Sequence, residues 1–180
     1  MNIPNMLSVL RIVLIPFFIF LLLPAGPGTV CVWPFVVFSV ASITDFLDGY
    51  IARSTNQITK LGKLLDPIAD KILTSAALIF LVQLQRVAAW IVIVIIAREF
   101  AITGIRAMAS AEGFIMPADR MGKYKMGAQI TAVLMLLLDN RLWIFNWHTL
   151  GTLSIWVAMV LSVVSGFQYI RRFMKEMDFA

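Results

Sequence analysis

The sequence predicts an all-α integral membrane protein with six transmembrane helices and both termini cytoplasmic. Of its 180 residues, 61% are hydrophobic and only 14% are charged, and the mean hydropathy is +0.90. Soluble domains average about 45–50% apolar and about 25% charged residues. This excess is too large for a soluble core, and the length fits one membrane domain over residues 1–180.

The apolar residues gather in six runs, each near the roughly 17–25 residues that cross a bilayer once polar ends are included. Because lipid offers the main chain no hydrogen-bond partners, we expect these runs to be helices. A cleaved signal peptide, with 12–23 as its apolar region, is the competing interpretation of the first run; Arg11 is the only cation before that region, and this and the later spans argue against it. The runs are 6–23, 30–44, 68–84, 87–97 with a polar continuation, 126–138 and 150–166.

The basic residues predict the orientation of this bundle. All but two of the 15, Arg86 and Arg141, fall on the side that carries the N-terminus. Since Lys and Arg are enriched in cytoplasmic loops, that side is expected to face the cytoplasm, in a multi-pass protein of the inner (cytoplasmic) membrane. The five tryptophans fall at or near the outer helix ends, and the single His148 beside them is expected to be an interfacial residue.

Four of the ten acidic residues stand where the second and third runs meet a short loop. Asp45 and Asp48 are three residues apart on one helix, and Asp66 and Asp70 are four apart on the next. Four carboxylates that face one another repel unless cations neutralise them, and oxygen ligands favour magnesium or manganese. Solvated carboxylates paired with nearby lysines are the alternative, but ionisable groups this close to membrane spans are functional by default.

The residues between the carboxylates suit a phosphate ligand. Gly49 leaves space on the helix face, Gly62 lets the main chain approach a ligand, and Arg53 can fork onto a phosphate. A proline is tolerated in the first turn of a helix, so Pro67 predicts that the third helix begins only a few residues before Asp66.

The pattern Asp-x2-Asp-Gly-x2-Ala-Arg-x8-Gly-x3-Asp-x3-Asp is met at every fixed position between Asp45 and Asp70. The chain thereby resembles the CDP-alcohol phosphatidyltransferase family. The resemblance implies a metal-dependent enzyme in which the hydroxyl of an acceptor alcohol displaces CMP from a CDP-lipid. It implies two Mg²⁺ ions, or Mn²⁺, the first held by Asp45, Asp48 and Asp66 and the second by Asp66 and Asp70. Asp70 would also be the general base, and Gly49, Arg53, Thr59 and Gly62 would lie along the cytidine diphosphate.

Three segments resemble the phosphatidylglycerophosphate synthases of this family, which join CDP-diacylglycerol to sn-glycerol 3-phosphate in phospholipid biosynthesis. The segments are Asn2-Ile-Pro4-Asn5-Met-Leu-Ser8-x2-Arg11, Ala97-Arg98-Glu99 and Gly122-Lys123-x-Lys125-x3-Gln129. Ser8 replaces a common threonine and keeps its hydroxyl, whereas Met126 replaces another and loses one. Asn5 and Ser8, with Arg11, are candidates to bind CDP-diacylglycerol, or they cap and anchor the first helix. The resemblance also implies a homodimer.

The cations of the predicted cytoplasmic segment 98–125 favour an anionic acceptor, since they would repel choline or ethanolamine. Glu99 and Asp119 lie among these cations. For Arg120, the enrichment of cations in cytoplasmic loops is as good an explanation as binding of the acceptor. The candidate ligands of the acceptor phosphate are Arg98, Arg106, Lys123 and Lys125.

Other interpretations stay open at this point. The acceptor can be inositol phosphate, serine or phosphatidylglycerol with the same chemistry. A magnesium-dependent membrane prenyltransferase also uses two Asp-rich motifs, but these usually lie far apart in a longer chain. A channel or transporter with an acidic mouth would carry carboxylates within its spans, whereas the carboxylates of this chain cluster at one interface and the middles of the spans have none. The substrates and the bilayer are the expected partners, and nucleic acid is not.

Overall fold

The computed structural model describes the main chain of residues 3–54, 60–111, 120–139, 141–142 and 145–177, and the side chains of 10–46, 68–110, 121–139 and 146–175. The described main chain forms six helices and a short antiparallel ladder that pairs Arg141 with Asn146. The predicted helical class is therefore confirmed, and only the ladder is an addition. The elements are α1 (Ile3–Leu22), α2 (Val32–Ser54), α3 (Lys60–Gln83), α4 (Ala89–Ala111), α5 (Arg120–Leu138), β1 (Arg141–Leu142), β2 (Phe145–Asn146) and α6 (Trp147–Met177).

Each predicted run corresponds to one helix, and α2 to α6 all extend beyond their apolar runs. α3 begins at Lys60, so Pro67 is its eighth residue and the prediction that it lies in the first turn is wrong. A proline there removes one main-chain hydrogen bond, a loss that neighbouring groups can make good in membrane helices. α6 continues to Met177, eleven residues beyond the predicted run, because hydropathy marks only the apolar part of a helix.

All six helices contribute to one hydrophobic core. α5 packs along α6 over the longest stretch, α1 packs on α2 and α3, and α4 packs on α6. The rings of Phe18 and Phe38 lie 5.8 Å apart between α1 and α2. One buried side chain from each helix illustrates the core: Phe18, Phe38, Leu78, Ile95, Leu136 and Ile155.

Large apolar side chains also cover the outside of the bundle. Phe46 is 73% exposed, Trp33 is 70% exposed, and Phe20 and Phe167 are each 68% exposed. Soluble monomers rarely expose apolar surface on this scale, so the outer surface is suited to lipid. Within the described residues, one helical segment, Trp147–Lys175, is long and apolar enough to cross a membrane by itself. The shorter apolar helices are Leu10–Leu22 and Val32–Phe46, so six separate spans stay a prediction.

A buried arginine ties together one end of the bundle. Arg86 is 5% exposed, its Nε lies 2.9 Å from Asp139 Oδ2, and Asp139 Oδ1 lies 2.6 Å from His148 Nδ1. Its guanidinium also donates hydrogen bonds to the main-chain carbonyl oxygens of Leu136 (2.7 Å), Leu137 (3.1 Å) and Thr29. These bonds satisfy carbonyls at the end of α5 that have no partner within the helix, and they join it to the α1–α2 connection.

One glycine allows α5 and α6 to approach closely. A Cβ atom at Gly151 would lie 2.7 Å from Leu136 Cγ and 3.2 Å from the Leu136 main-chain nitrogen. At Gly104 on α4 and Gly127 on α5, a Cβ atom would meet no described atom within 4 Å. Gly151 is therefore the one of these three that the described packing requires to be small.

We expect Gly151→Ala to lower the free energy of unfolding by about 1–3 kcal/mol, because Leu136 and its helix must move. The measurement is the melting temperature of the protein in detergent. Gly127→Ala is the matched control and should leave the melting temperature unchanged or raise it, since alanine is the better helix former by about 1 kcal/mol. Equal melting temperatures for the two variants would contradict the packing described.

Candidate active site

A cavity of about 320 Å³ lies between α3, α4, α5 and α6. It brings the predicted general base together with all four predicted acceptor ligands, although these residues come from three different helices. Its charged lining residues are Asp70 and Lys71 from α3, Arg98, Glu99 and Arg106 from α4, and Lys123 and Lys125 from α5. α6 adds Ser165 and Tyr169.

Two of the four predicted metal ligands, Asp45 and Asp70, have described side chains. Asp70 lines the cavity, and the Thr74 hydroxyl donates a hydrogen bond to its main-chain carbonyl. Asp48 and Asp66 lie on α2 and α3, but their side chains are outside the described residues. The described side chains alone contain no group of three metal-ligating residues, as expected when half of the predicted set is not among them.

Arg11 contacts Asp45, one of the predicted metal ligands, and lies within α1 instead of at its cap. Its side chain is 1% exposed, and its Nη1 lies 2.7 Å from Asp45 Oδ1. The two side chains therefore form an ion pair between α1 and α2. The sequence marks Arg11 as the one cation of an apolar helix, but its partner is 34 positions away in the chain and is visible only in the fold.

The predicted CDP-diacylglycerol ligands are distributed over three helices. Their side chains lie outside the described residues, so their roles stay predictions. Asn5 and Ser8 are on α1, Gly49 and Arg53 are on α2, Gly62 is on α3, and Thr59 falls in a segment whose main chain is also not described.

Arg98 is held by hydrogen bonds within the protein. Its Nε donates to the Ser162 carbonyl oxygen (2.9 Å), its Nη2 to Ser165 Oγ (2.7 Å), and its Nη1 to Glu99 Oε1 (2.8 Å). The side chain passes directly over Gly166, where a Cβ atom would lie 3.0 Å from Arg98 Cγ. Arg98 thus joins α4 to α6 in a fixed position.

Glu99 extends this arrangement to α5. Its Oε1 also accepts a hydrogen bond from Nζ of Lys125, which is 6% exposed. Arg98 and Lys125 therefore share one carboxylate. Arg106 and Lys123, the other two predicted acceptor ligands, are exposed, and the Arg106 guanidinium carbon lies 5.2 Å from the centre of the Tyr169 ring.

The contribution of α6 is absent from the sequence-based prediction. Ser162, Ser165 and Tyr169 are all buried and stand three and four residues apart, so they share the helix face that meets Arg98 and Arg106. That spacing of polar residues at the end of an apolar run is the signal that could have identified them.

Comparison with known proteins identifies the class to which this fold and cavity belong. The CDP-alcohol phosphatidyltransferase family model matches residues 1–164, and the chain belongs to that family. Members of the family generally depend on a divalent metal.

Similar proteins align over nearly their whole length. A CDP-diacylglycerol–glycerol-3-phosphate 3-phosphatidyltransferase of Bacillus subtilis is 44% identical over 179 residues, which cover 93% of each chain. One of the same name from Pseudomonas fluorescens is 37% identical, covering 95% of this chain and 89% of its own. A probable phosphatidylglycerophosphate synthase of Mycobacterium tuberculosis is 33% identical, covering 97% and 83%.

Glu99→Gln is expected to lower the free energy of unfolding by about 2 kcal/mol, because Lys125 loses its carboxylate partner while it stays buried. The effect should be smaller than for a fully buried pair, since the Glu99 side chain is 24% exposed. Melting temperatures in detergent measure it. Lys125→Met in the Glu99→Gln background should recover part of the loss, and a further loss would contradict a coupled pair.

Proposed function

We propose that the chain transfers the phosphatidyl group of CDP-diacylglycerol to sn-glycerol 3-phosphate, giving phosphatidylglycerophosphate and CMP in phospholipid biosynthesis. The observation that carries this proposal is the cavity whose described lining places Asp70 with five basic side chains. The names of the relatives from Bacillus subtilis and Pseudomonas fluorescens state the same reaction.

The charge of the cavity favours a phosphorylated acceptor. Its described lining contains five cations and two carboxylates, Asp70 and Glu99, which leaves a surplus of three positive charges. Such a surplus attracts a phosphate and repels a cationic alcohol. Arg106 and Lys123, which are exposed, would bind the phosphate directly. Arg98 and Lys125, which share Glu99, would add positive charge from fixed positions.

Asp45, Asp48, Asp66 and Asp70 would hold two Mg²⁺ or Mn²⁺ ions. The donor set fits hard divalent cations because it consists of carboxylates alone. Asp45 also forms an ion pair with the buried Arg11. When bound, the metals would neutralise the pyrophosphate and the charge that develops on the attacking and leaving oxygens.

In the proposed reaction Asp70 accepts the proton of the acceptor hydroxyl. The hydroxyl oxygen forms a bond to the phosphorus of the phosphatidyl group, and the bond from that phosphorus to the CMP oxygen breaks. CMP leaves with the electron pair of that bond. The predicted ligands of CDP-diacylglycerol are Asn5, Ser8, Gly49, Arg53, Thr59 and Gly62.

The protein would work in the inner membrane, with six spans, both termini cytoplasmic and the active site at the cytoplasmic surface. The exposed apolar side chains of the bundle support a lipid environment. All cations in the described lining of the cavity belong to the group that the orientation rule assigns to the cytoplasmic side. Arg86, which the rule assigns to the outer side, follows the opposite end of α3. A homodimer is part of the proposal on the family resemblance alone.

The test is CMP release by purified protein given CDP-diacylglycerol, magnesium and a panel of labelled acceptors. We expect release with sn-glycerol 3-phosphate and little with serine or inositol. Release with inositol phosphate but not with sn-glycerol 3-phosphate would contradict the proposed acceptor, and no release with any acceptor would contradict the reaction.

Asp70→Asn should reduce turnover by about 10²-fold or more, because the variant cannot accept the proton of the acceptor hydroxyl. The variant should still insert into membranes and bind labelled CDP-diacylglycerol in a saturation assay. Turnover close to that of the unmodified protein would remove Asp70 from the role of general base.

A further inference from the structure

We propose that Tyr169 determines specificity for a phosphorylated acceptor, its hydroxyl donating a hydrogen bond to a phosphate oxygen of the bound molecule. This inference rests on the proposed function. Tyr169 lies on α6, lines the cavity and is 4% exposed. Its hydroxyl is shielded from solvent and has no hydrogen-bond partner among the described residues.

A buried hydroxyl without a partner is uncommon. Buried side-chain polar groups are bonded in the large majority of cases, and those that are not destabilise the folded protein. Ser165, one turn earlier on the same helix face, shows the usual situation, since it accepts a hydrogen bond from Arg98 and donates one to the Leu161 carbonyl. A tyrosine that lines a cavity and lacks such a partner is suited to form a hydrogen bond with a ligand.

The neighbour of Tyr169 indicates the chemistry of that ligand. The Arg106 guanidinium lies over the tyrosine ring, 5.2 Å from its centre, and Arg106 lines the same cavity. The ring therefore holds a cation at the cavity, and the same side chain supplies a neutral donor. A phosphate dianion offers only acceptor oxygens, so it can bind the guanidinium and the phenolic hydroxyl together.

Tyr169→Phe separates this role from a structural one. The variant keeps the ring beneath Arg106 and removes the hydroxyl. We expect the KM for sn-glycerol 3-phosphate to rise about 10-fold, as for the loss of one hydrogen bond to a charged group, while the KM for CDP-diacylglycerol is unchanged. The melting temperature of the ligand-free protein should be unchanged or higher, because the folded protein loses no hydrogen bond.

Inorganic phosphate tests which part of the acceptor is bound. It should inhibit the unmodified protein in competition with sn-glycerol 3-phosphate, and its inhibition constant should rise about as much as the KM in Tyr169→Phe. Tyr124→Phe is the matched control, because Tyr124 is 71% exposed on α5 and is not among the described residues that line the cavity. It should leave both constants unchanged.

An unchanged KM in Tyr169→Phe would overturn the inference, as would a rise accompanied by a lower melting temperature, which indicates a structural role. An unchanged inhibition constant for phosphate with a raised KM would overturn the assignment to the phosphate. A different result would contradict the proposed function itself: no CMP release by the unmodified protein with sn-glycerol 3-phosphate.

Discussion

The ion-pair network of Arg98, Glu99 and Lys125 is the interaction on which the cavity depends. Taking a charged group out of water costs free energy, so an apolar bundle cannot keep a buried Lys125 or a half-buried Arg98 without partners. Glu99 offsets that cost for both cations, and the remaining donors of Arg98 reach a carbonyl and a hydroxyl on α6. α4, α5 and α6 are thereby joined beside Asp70, and Arg106 is left exposed.

The other end of the bundle shows how a purely structural arginine is bound. Arg86 directs its guanidinium to three main-chain carbonyls and to Asp139, and these contacts join the end of α5 to neighbouring connections. Its charge is matched by a carboxylate within the protein. The cavity, in contrast, contains three more cations than carboxylates in its described lining. This difference in charge balance separates the end that stabilises the fold from the end that is suited to an anionic ligand.

The sequence predicts much of this architecture because its signals are local. Apolar runs mark all six helices, and the spacing of Asp45 and Asp70 in a long motif indicates the chemistry. The partnership of Arg11 with Asp45 and the packing of α6 on Arg98 depend on contacts between distant segments, which a single sequence does not display. The start of α3 differs from the prediction for a local reason, since proline disfavours a helix interior by propensity and Pro67 is nevertheless accommodated within the helix.

The order of the helices separates the two substrates of the proposed reaction. The motif that resembles a CDP-lipid site belongs to α2 and α3, with candidates on α1, whereas the cations of the cavity lie mostly on α4 and α5 and its hydroxyls partly on α6. Asp70 on α3 belongs to the motif and also lines the cavity, as its two proposed roles require. If the proposed roles hold, changes in the second half of the chain would alter the acceptor while the carboxylates proposed to act on the CDP-lipid stay the same. Tyr169 is a position of that kind, because it is in the cavity but outside the motif.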